Sequence, residues 1–329
     1  MKFLVYLTLL FISLNASDIQ YKGNIGLDYK KFDYSIPFVK NKEQKALMGE
    51  IELKKEYDDT ILFTKIEALK DKDDKERSYI KTNELYIKYE SDNYDLKVGK
   101  DIKYWGALEL HNITDIYNKK NTKNNEFDKN KKLGRIGISY NYYMENEDSI
   151  SLIIAKDKIL DDDETDHNIS SFIKYSGSRD DIASRDFTYI ISSVDEKLMM
   201  YDTLIVKDTI FKLEYIYSNK IKKYQSGTGL EHTLYGITGK KDLSLMFEYY
   251  RSDDKKAKYE NNIFVATRLS FNNSKDTSIT LAIIKDKIKD EYSKTFELKS
   301  RIYDNYKINL SYMKNDSLTV YTINTAYYF

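Results

Sequence analysis

From residue 18 onward, apolar and polar side chains alternate with a period of two along most of the chain. Ile19, Tyr21, Gly23, Ile25, Leu27 and Tyr29 share one face of a predicted strand, with Lys22, Asn24, Asp28 and Lys30 on the other. Such alternation follows from the pleat, which sends successive side chains to opposite faces. It recurs at Leu47, Ile51 and Leu53 against Glu50, Glu52 and Lys54, at Leu85, Ile87 and Tyr89, and at Ile136, Ile138, Tyr140 and Tyr142. Later examples are Phe211 to Tyr217, Leu243 to Tyr249, Ile263 to Leu269 and Tyr306 to Tyr312. No segment of any length has the helix period. The final stretch places Tyr321, Ile323, Thr325, Tyr327 and Phe329 on one face and Val320, Thr322, Asn324, Ala326 and Tyr328 on the other. An open sheet ending on a bare aromatic strand would leave an unpaired, sticky edge. Closure of that strand onto the first one removes the edge and lets the aromatic face meet lipid.

The connections sharpen this picture. Counting back from Phe329 gives about 18 strands, with 14–16 as the alternative, and an even number suits a bacterial barrel. The predicted connections then alternate between two classes. One is terse: 57–60, 91–93, 145–148, 177–181, 207–208, 240–242, 272–275 and 304–305. The other is mostly longer and charged: 33–43, 70–81, 100–132, 156–167, 219–226, 252–260 and 285–291, with 195–197 and 315–317 as short members. Short turns on one side and long loops on the other are the habit of a transmembrane barrel, and a sandwich does not require that parity. The expected fold is therefore all-β, a single transmembrane antiparallel up-and-down β-barrel.

Composition changes the picture in several places. Met1-Lys2, the apolar run from Phe3 to Leu14 and the small residues Ala16 and Ser17 read as a secretory signal peptide over 1–17, leaving 18–329 as the barrel. The 53 basic and 53 acidic side chains cancel, which removes the electrostatic case for nucleic acid. With no Cys, neither disulfides nor thiolate metal sites are available. A mean hydropathy of -0.63 looks soluble, but half of every barrel strand faces water. The 31 Tyr suit strands and membrane interfaces, and the single Pro37 is what a closed sheet tolerates.

The 100–132 connection is the longest and holds the sole tryptophan, Trp105. Its first half is apolar and aromatic and its second half, 118–132, is rich in Asn and Lys, so the first half is expected to pack inside the barrel and the second to be solvated. Gly99, then Trp105-Gly106, then Asp115 and Asn118 resemble a motif of a porin-like family of Gram-negative outer-membrane barrels. Lys119 and Asn121 stand where that motif usually has Pro and Asp. The C-terminal aromatic strand, with Tyr321, Ile323, Tyr327 and Phe329, resembles the signal read by the barrel-assembly machinery. The resemblance implies a transport barrel of the cell outer membrane, with lipid and lipopolysaccharide around it; monomer and homotrimer both stay open. It does not imply a substrate.

Candidate chemistry is sparse. His111, His167 and His232 match no nucleophile or metal spacing and read as polar lining. The carboxylates Asp161, Asp162, Asp163, Glu164 and Asp166 lack the spacing of a calcium loop and read as a solvated charge run. Asn168 heads an Asn-x-Ser acceptor. No catalytic group, metal or cofactor is expected. The lumen is expected to be lined by Lys22, Lys30, Glu50, Glu52, Lys65, Glu84, Lys97, Lys174, Lys212, Glu214, Glu248 and similar inward positions of both signs. The constriction is expected from Tyr104, Trp105, Gly106, Glu109, His111, Asp115 and Asn118, with Arg135, Arg268 and Arg301 on the wall. The functional expectation is a channel for diffusion of small hydrophilic solutes. The alternative is a closed barrel acting in surface interaction or adhesion.

Overall fold

The computed structural model describes residues 19–36, 38–110, 112–120, 132–156, 169–180, 183–255 and 260–329. The signal-peptide segment, Pro37, His111, His167, the 161–166 carboxylate run, Asn121 and Asn168 lie outside these described residues.

Strands β1 (Ile19–Tyr34), β2 (Lys42–Tyr57), β3 (Thr60–Asp71), β4 (Tyr79–Glu90) and β5 (Tyr94–Asp101) form the first part of the wall. Two-residue strands β6 (Lys119–Lys120) and β7 (Lys132–Leu133) pair only with each other. The wall resumes with β8 (Arg135–Tyr143), β9 (Ser149–Lys156), β10 (Ile169–Asp180), β11 (Ser184–Ser192) and β12 (Lys197–Val206). It continues through β13 (Thr209–Ser218), β14 (Lys223–Thr238), β15 (Lys241–Ser252) and β16 (Asn261–Ser270). It ends with β17 (Ser278–Asp286), β18 (Glu291–Tyr303), β19 (Tyr306–Lys314) and β20 (Leu318–Tyr328).

Apart from the β6–β7 ladder, every strand pairs antiparallel with its neighbours in sequence, giving one 18-stranded sheet. β20 closes it on β1, in register from Asn24 opposite Tyr328 to Tyr34 opposite Leu318. Phe329 finishes the seam, its N–H donating to the Gly23 carbonyl at 3.0 Å and its carbonyl accepting from Gly23 N–H at 2.9 Å. Closure leaves no sheet edge to satisfy. The short turns fall at one rim and the long connections at the other.

The outer face is a continuous apolar belt. Ile25, Leu27, Leu47, Leu152, Ile154, Ile173, Leu245, Phe247, Leu281 and Ile323 are all exposed there. Tyr306 packs on Tyr327 at 5.0 Å near the short-turn rim, and Tyr312 on Tyr321 at 5.3 Å toward the other. A belt of this extent flanked by aromatic girdles is stable only against hydrocarbon, so the barrel is transmembrane. The inner face carries the charges, with Lys22 bridging Glu52 at 2.7 Å and Lys65 bridging Glu52 at 2.9 Å and Glu50 at 3.0 Å. His232 departs from the expected lining role: it shares its face with the exposed Leu230 and Leu234, and its Nδ1 pairs with the Thr209 hydroxyl at 2.8 Å. The strand parity that sends Gly229 and Glu231 inward sends His232 out.

Candidate functional site: the loop inside the barrel

The wall is low where the long connection begins. β4 starts at Tyr79, yet its ladder with β5 runs only as far as Leu85 opposite Lys100. The chain leaves the wall after Asp101, below the long-loop rim, and Ile102 N–H donates to the inward Glu84 carboxylate at 3.2 Å. From there 102–110 and 112–118 lie across the lumen.

Its first anchor is aromatic. Trp105 meets Phe172 of β10 edge-on at 5.2 Å and Tyr117 at 5.4 Å, and Tyr117 meets Phe172 at 5.8 Å. Around them the inner wall supplies Ile153, Ala155, Ile190, Met199 and Ile216, all buried. Such ring pairs each contribute about 0.5–1.5 kcal/mol beyond their buried area. The cluster also explains why β9 is apolar on both faces: Leu152 and Ile154 meet lipid while Ile153 and Ala155 meet the loop.

The second anchor is a pair of buried carboxylates. Glu214 of β13, fully buried, accepts from Ala107 N–H at 2.6 Å and Leu108 N–H at 2.8 Å on one oxygen. Its other oxygen accepts from the Thr114 N–H and the Thr114 hydroxyl, each at 3.0 Å. Glu248 of β15 accepts from the N–H groups of Glu109 and Leu110. A loop inside a barrel must satisfy its backbone donors, and here two carboxylates take five of them. Between these anchors Leu108 seats against Gly227 and Gly229 of β14, where an added Cβ would stand 2.3 Å and 2.8 Å from the Leu108 methyls. Leu110 packs on the cluster of Met246, Phe264, Ala266, Ala282 and Ile284. Gly229→Val should therefore unseat Leu108 at a cost of about 1–3 kcal/mol while leaving the strand intact. Faster proteolysis inside 102–118 with unchanged heat-modifiable migration is the expected readout.

The loop also holds itself together. Gly106 has φ +100, and a Cβ there would overlap the Asn112 amide. Asn118 accepts from Lys103 N–H at 3.0 Å and donates to Asp115 at 2.6 Å and to the Lys103 carbonyl. Asp115 is paired with Lys132. Burial pushes the Asp115 carboxyl above its ordinary range, against the pull of Lys132 and Asn118. Tyr117 donates to Asp101 at 2.8 Å, and burial with that carboxylate beside it pushes the phenol up. Arg135, the first residue of β8, lies over the Tyr117 and Phe172 rings at 5.3 and 5.8 Å and donates to the Lys156 carbonyl at 3.1 Å.

Several expected lining residues thus have other positions. Trp105, Asp115, Asn118 and Arg135 are buried under or within the loop, because an inward loop needs its own core. Arg301 sits at the short-turn rim, bridged to Asp276 at 2.6 Å, two residues from the end of β18. Tyr104 is exposed, with the Lys132 ammonium over its ring at 4.9 Å, and stands within the field of Glu84, Lys65, Glu50 and Glu52. Glu109 is half-buried, 3.6 Å from Lys212. Arg268 faces inward between the hydroxyl-bearing Ser244 and Thr280, one inward step along β16 from Ala266. The loop packs against the wall from β9 to β17, meets β4 through Glu84, and leaves the charged wall of β1 to β3 facing the open lumen. Glu214 and Glu248 appear in the sequence as two more inward charges. Their signal is that they lack a basic cross-strand partner, facing Tyr201 and Gly227, and Gly229 and Phe264.

No protein-family model matches the chain, and no curated protein matches it. Solved structures do share its fold. OccAB4 of Acinetobacter baumannii superposes with a TM-score of 0.65 at 8% identity, covering 96% of this chain and 99% of that one. A BenF-like porin from Pseudomonas fluorescens Pf-5 gives 0.67 at 10% identity, covering 95% and 98%. OpdQ of Pseudomonas aeruginosa gives 0.63 at 11% identity, with the same coverage. At such identity the likeness is one of fold.

Proposed function

We propose that this chain is an outer-membrane channel for small hydrophilic solutes, narrowed by the loop 102–118. The observation that carries the reading is the double anchorage of that loop inside a transmembrane barrel, which covers one half of the lumen and spares the charged half. A barrel serving only as a surface platform has no need of a loop latched to its inner wall. That the BenF-like relative in fold is a porin supports the same reading. Solutes would pass between Tyr104 and the Lys22, Glu52, Lys65, Glu50 ladder, with short turns in the periplasm and long loops outside.

Purified full-length protein in planar bilayers tests this. Discrete conductance steps are expected, and replacing 107–120 by a short Gly/Ser bridge should raise them while the barrel stays folded. Equal conductance with and without the loop would show that the loop does not limit flow. Silence of both forms would favour the surface-interaction barrel.

The seam at Phe329 gives a separate expectation. Its ring stacks near Tyr327 at 6.4 Å on the outer face, where assembly machinery could read it. Deleting Phe329 should lower the yield of heat-modifiable, membrane-inserted protein while the inserted fraction keeps its unfolding temperature. An unchanged yield would count against an assembly role.

A further inference from the structure

On the outer face near the long-loop rim, Lys294 of β18 and Lys314 of β19 stand directly opposite each other in the ladder. Both are exposed, and among the described residues neither side chain makes an ion pair or hydrogen bond. Strand parity sends them outward with Phe296 and Tyr312, away from Glu297 and Ser311, which face the lumen. Directly opposed like charges destabilise a sheet, with side chains only about 5 Å apart at Cβ. Sequence could have relieved this with one acidic partner, and did not.

The flanking outward acids are engaged elsewhere. Asp290 bridges Lys285 at 3.1 Å and Asp33 bridges Lys31 at 3.2 Å. Asp316, in the turn beyond Lys314, bridges neither lysine. Ile283 stands beside Lys294, and on the membrane side lie the aromatic rings of Tyr312 and Tyr321, then apolar Phe296, Leu310 and Ile323. Two free ammonium groups thus crown an aromatic girdle at headgroup height, above a path for acyl chains.

We propose that Lys294 and Lys314 form a binding site for the phosphate of an anionic glycolipid in the outer leaflet. One phosphate between the ammonium groups turns their repulsion into two charge-assisted contacts, while the rings and apolar side chains below receive the chains. Charge complementarity selects the headgroup, and the apolar band selects a lipid over a free ion. The site is on the outside of the wall and does not depend on whether the lumen conducts.

Native mass spectrometry of the detergent-solubilised full chain, titrated with bisphosphorylated lipid A, tests the assignment. The double variant Lys294→Gln with Lys314→Gln should hold lipid A roughly thirtyfold more weakly than the parent, from two lysine–phosphate contacts. Lys70→Gln, which removes an outward lysine facing Leu47, should bind like the parent. Phosphate-free lipid A should bind parent and double variant alike. Equal retention of lipid A by parent and double variant, each shown folded by heat-modifiable migration, would overturn the site. Displacement of lipid A by millimolar inorganic phosphate would overturn the lipid assignment.

Discussion

Glu214→Ala is expected to release the inner loop and raise the conductance toward that of the loop deletion. The side chain accepts four hydrogen bonds, three from loop N–H groups and one from the Thr114 hydroxyl, and among the described residues no cation shares it. Hydrogen bonds to a charged group contribute about 1.5–3 kcal/mol each where nothing replaces them. Lumen water will take up part of that loss, so a net weakening of docking by about 2–4 kcal/mol is expected. Gln at this position should also loosen the loop, because its NH2 group would face N–H donors on one side. Adding Glu248→Ala should give less than the sum of the single effects, since both carboxylates grip the same segment. Open-channel noise and proteolysis within 102–118 are the measurements. A Glu214→Ala barrel with parental conductance and a protease-resistant loop would sink the anchoring role.

Within β15, a lysine should be tolerated or not according to parity. Leu245 and Phe247 are exposed on the outer face, while Ser244 and Met246 face inward. Leu245→Lys or Phe247→Lys places an ammonium toward hydrocarbon at a cost of up to about 2–4 kcal/mol near the midplane. Ser244 faces the wet lumen, its hydroxyl hydrogen-bonded to Thr233 at 3.0 Å, and Ser244→Lys should fold at the cost of about 0.2–1 kcal/mol for a like charge opposite Arg268. Urea titration of the refolded variants in vesicles should separate the two groups by that margin. Equal stability of Leu245→Lys and Ser244→Lys would mean that the outer belt does not face lipid. Glu248 is a poor control on the inward side, because it holds the loop rather than merely lining the wall.

The barrel was legible because its cause is local. A period of two, terse and long connections in alternation, and an aromatic final strand each leave a mark within a few residues. The inward faces of Lys22, Glu52, Lys65 and Lys97 follow from parity alone, and the structure has them there. The loop was legible only as composition: apolar then polar, with one Trp and one Trp-Gly pair. Nothing near Trp105 in sequence points to Phe172 on β10, whose own strand reads as ordinary alternation.

By itself, then, the chain's hydrophobic pattern determined an all-β transmembrane barrel of about 18 strands and which strand side chains face lipid, because each strand's faces are set by its own pleat. Only the tertiary structure decided what the inward residues do. Glu214 and Glu248 became acceptors for backbone N–H groups a hundred or more residues away in sequence, and backbone donors carry no side-chain signature. Asp115 and Asn118 became internal glue rather than lining, since a loop buried in a wet lumen must first satisfy its own polar groups. Arg301 went to a rim because strand length, not residue type, fixes height along the barrel axis.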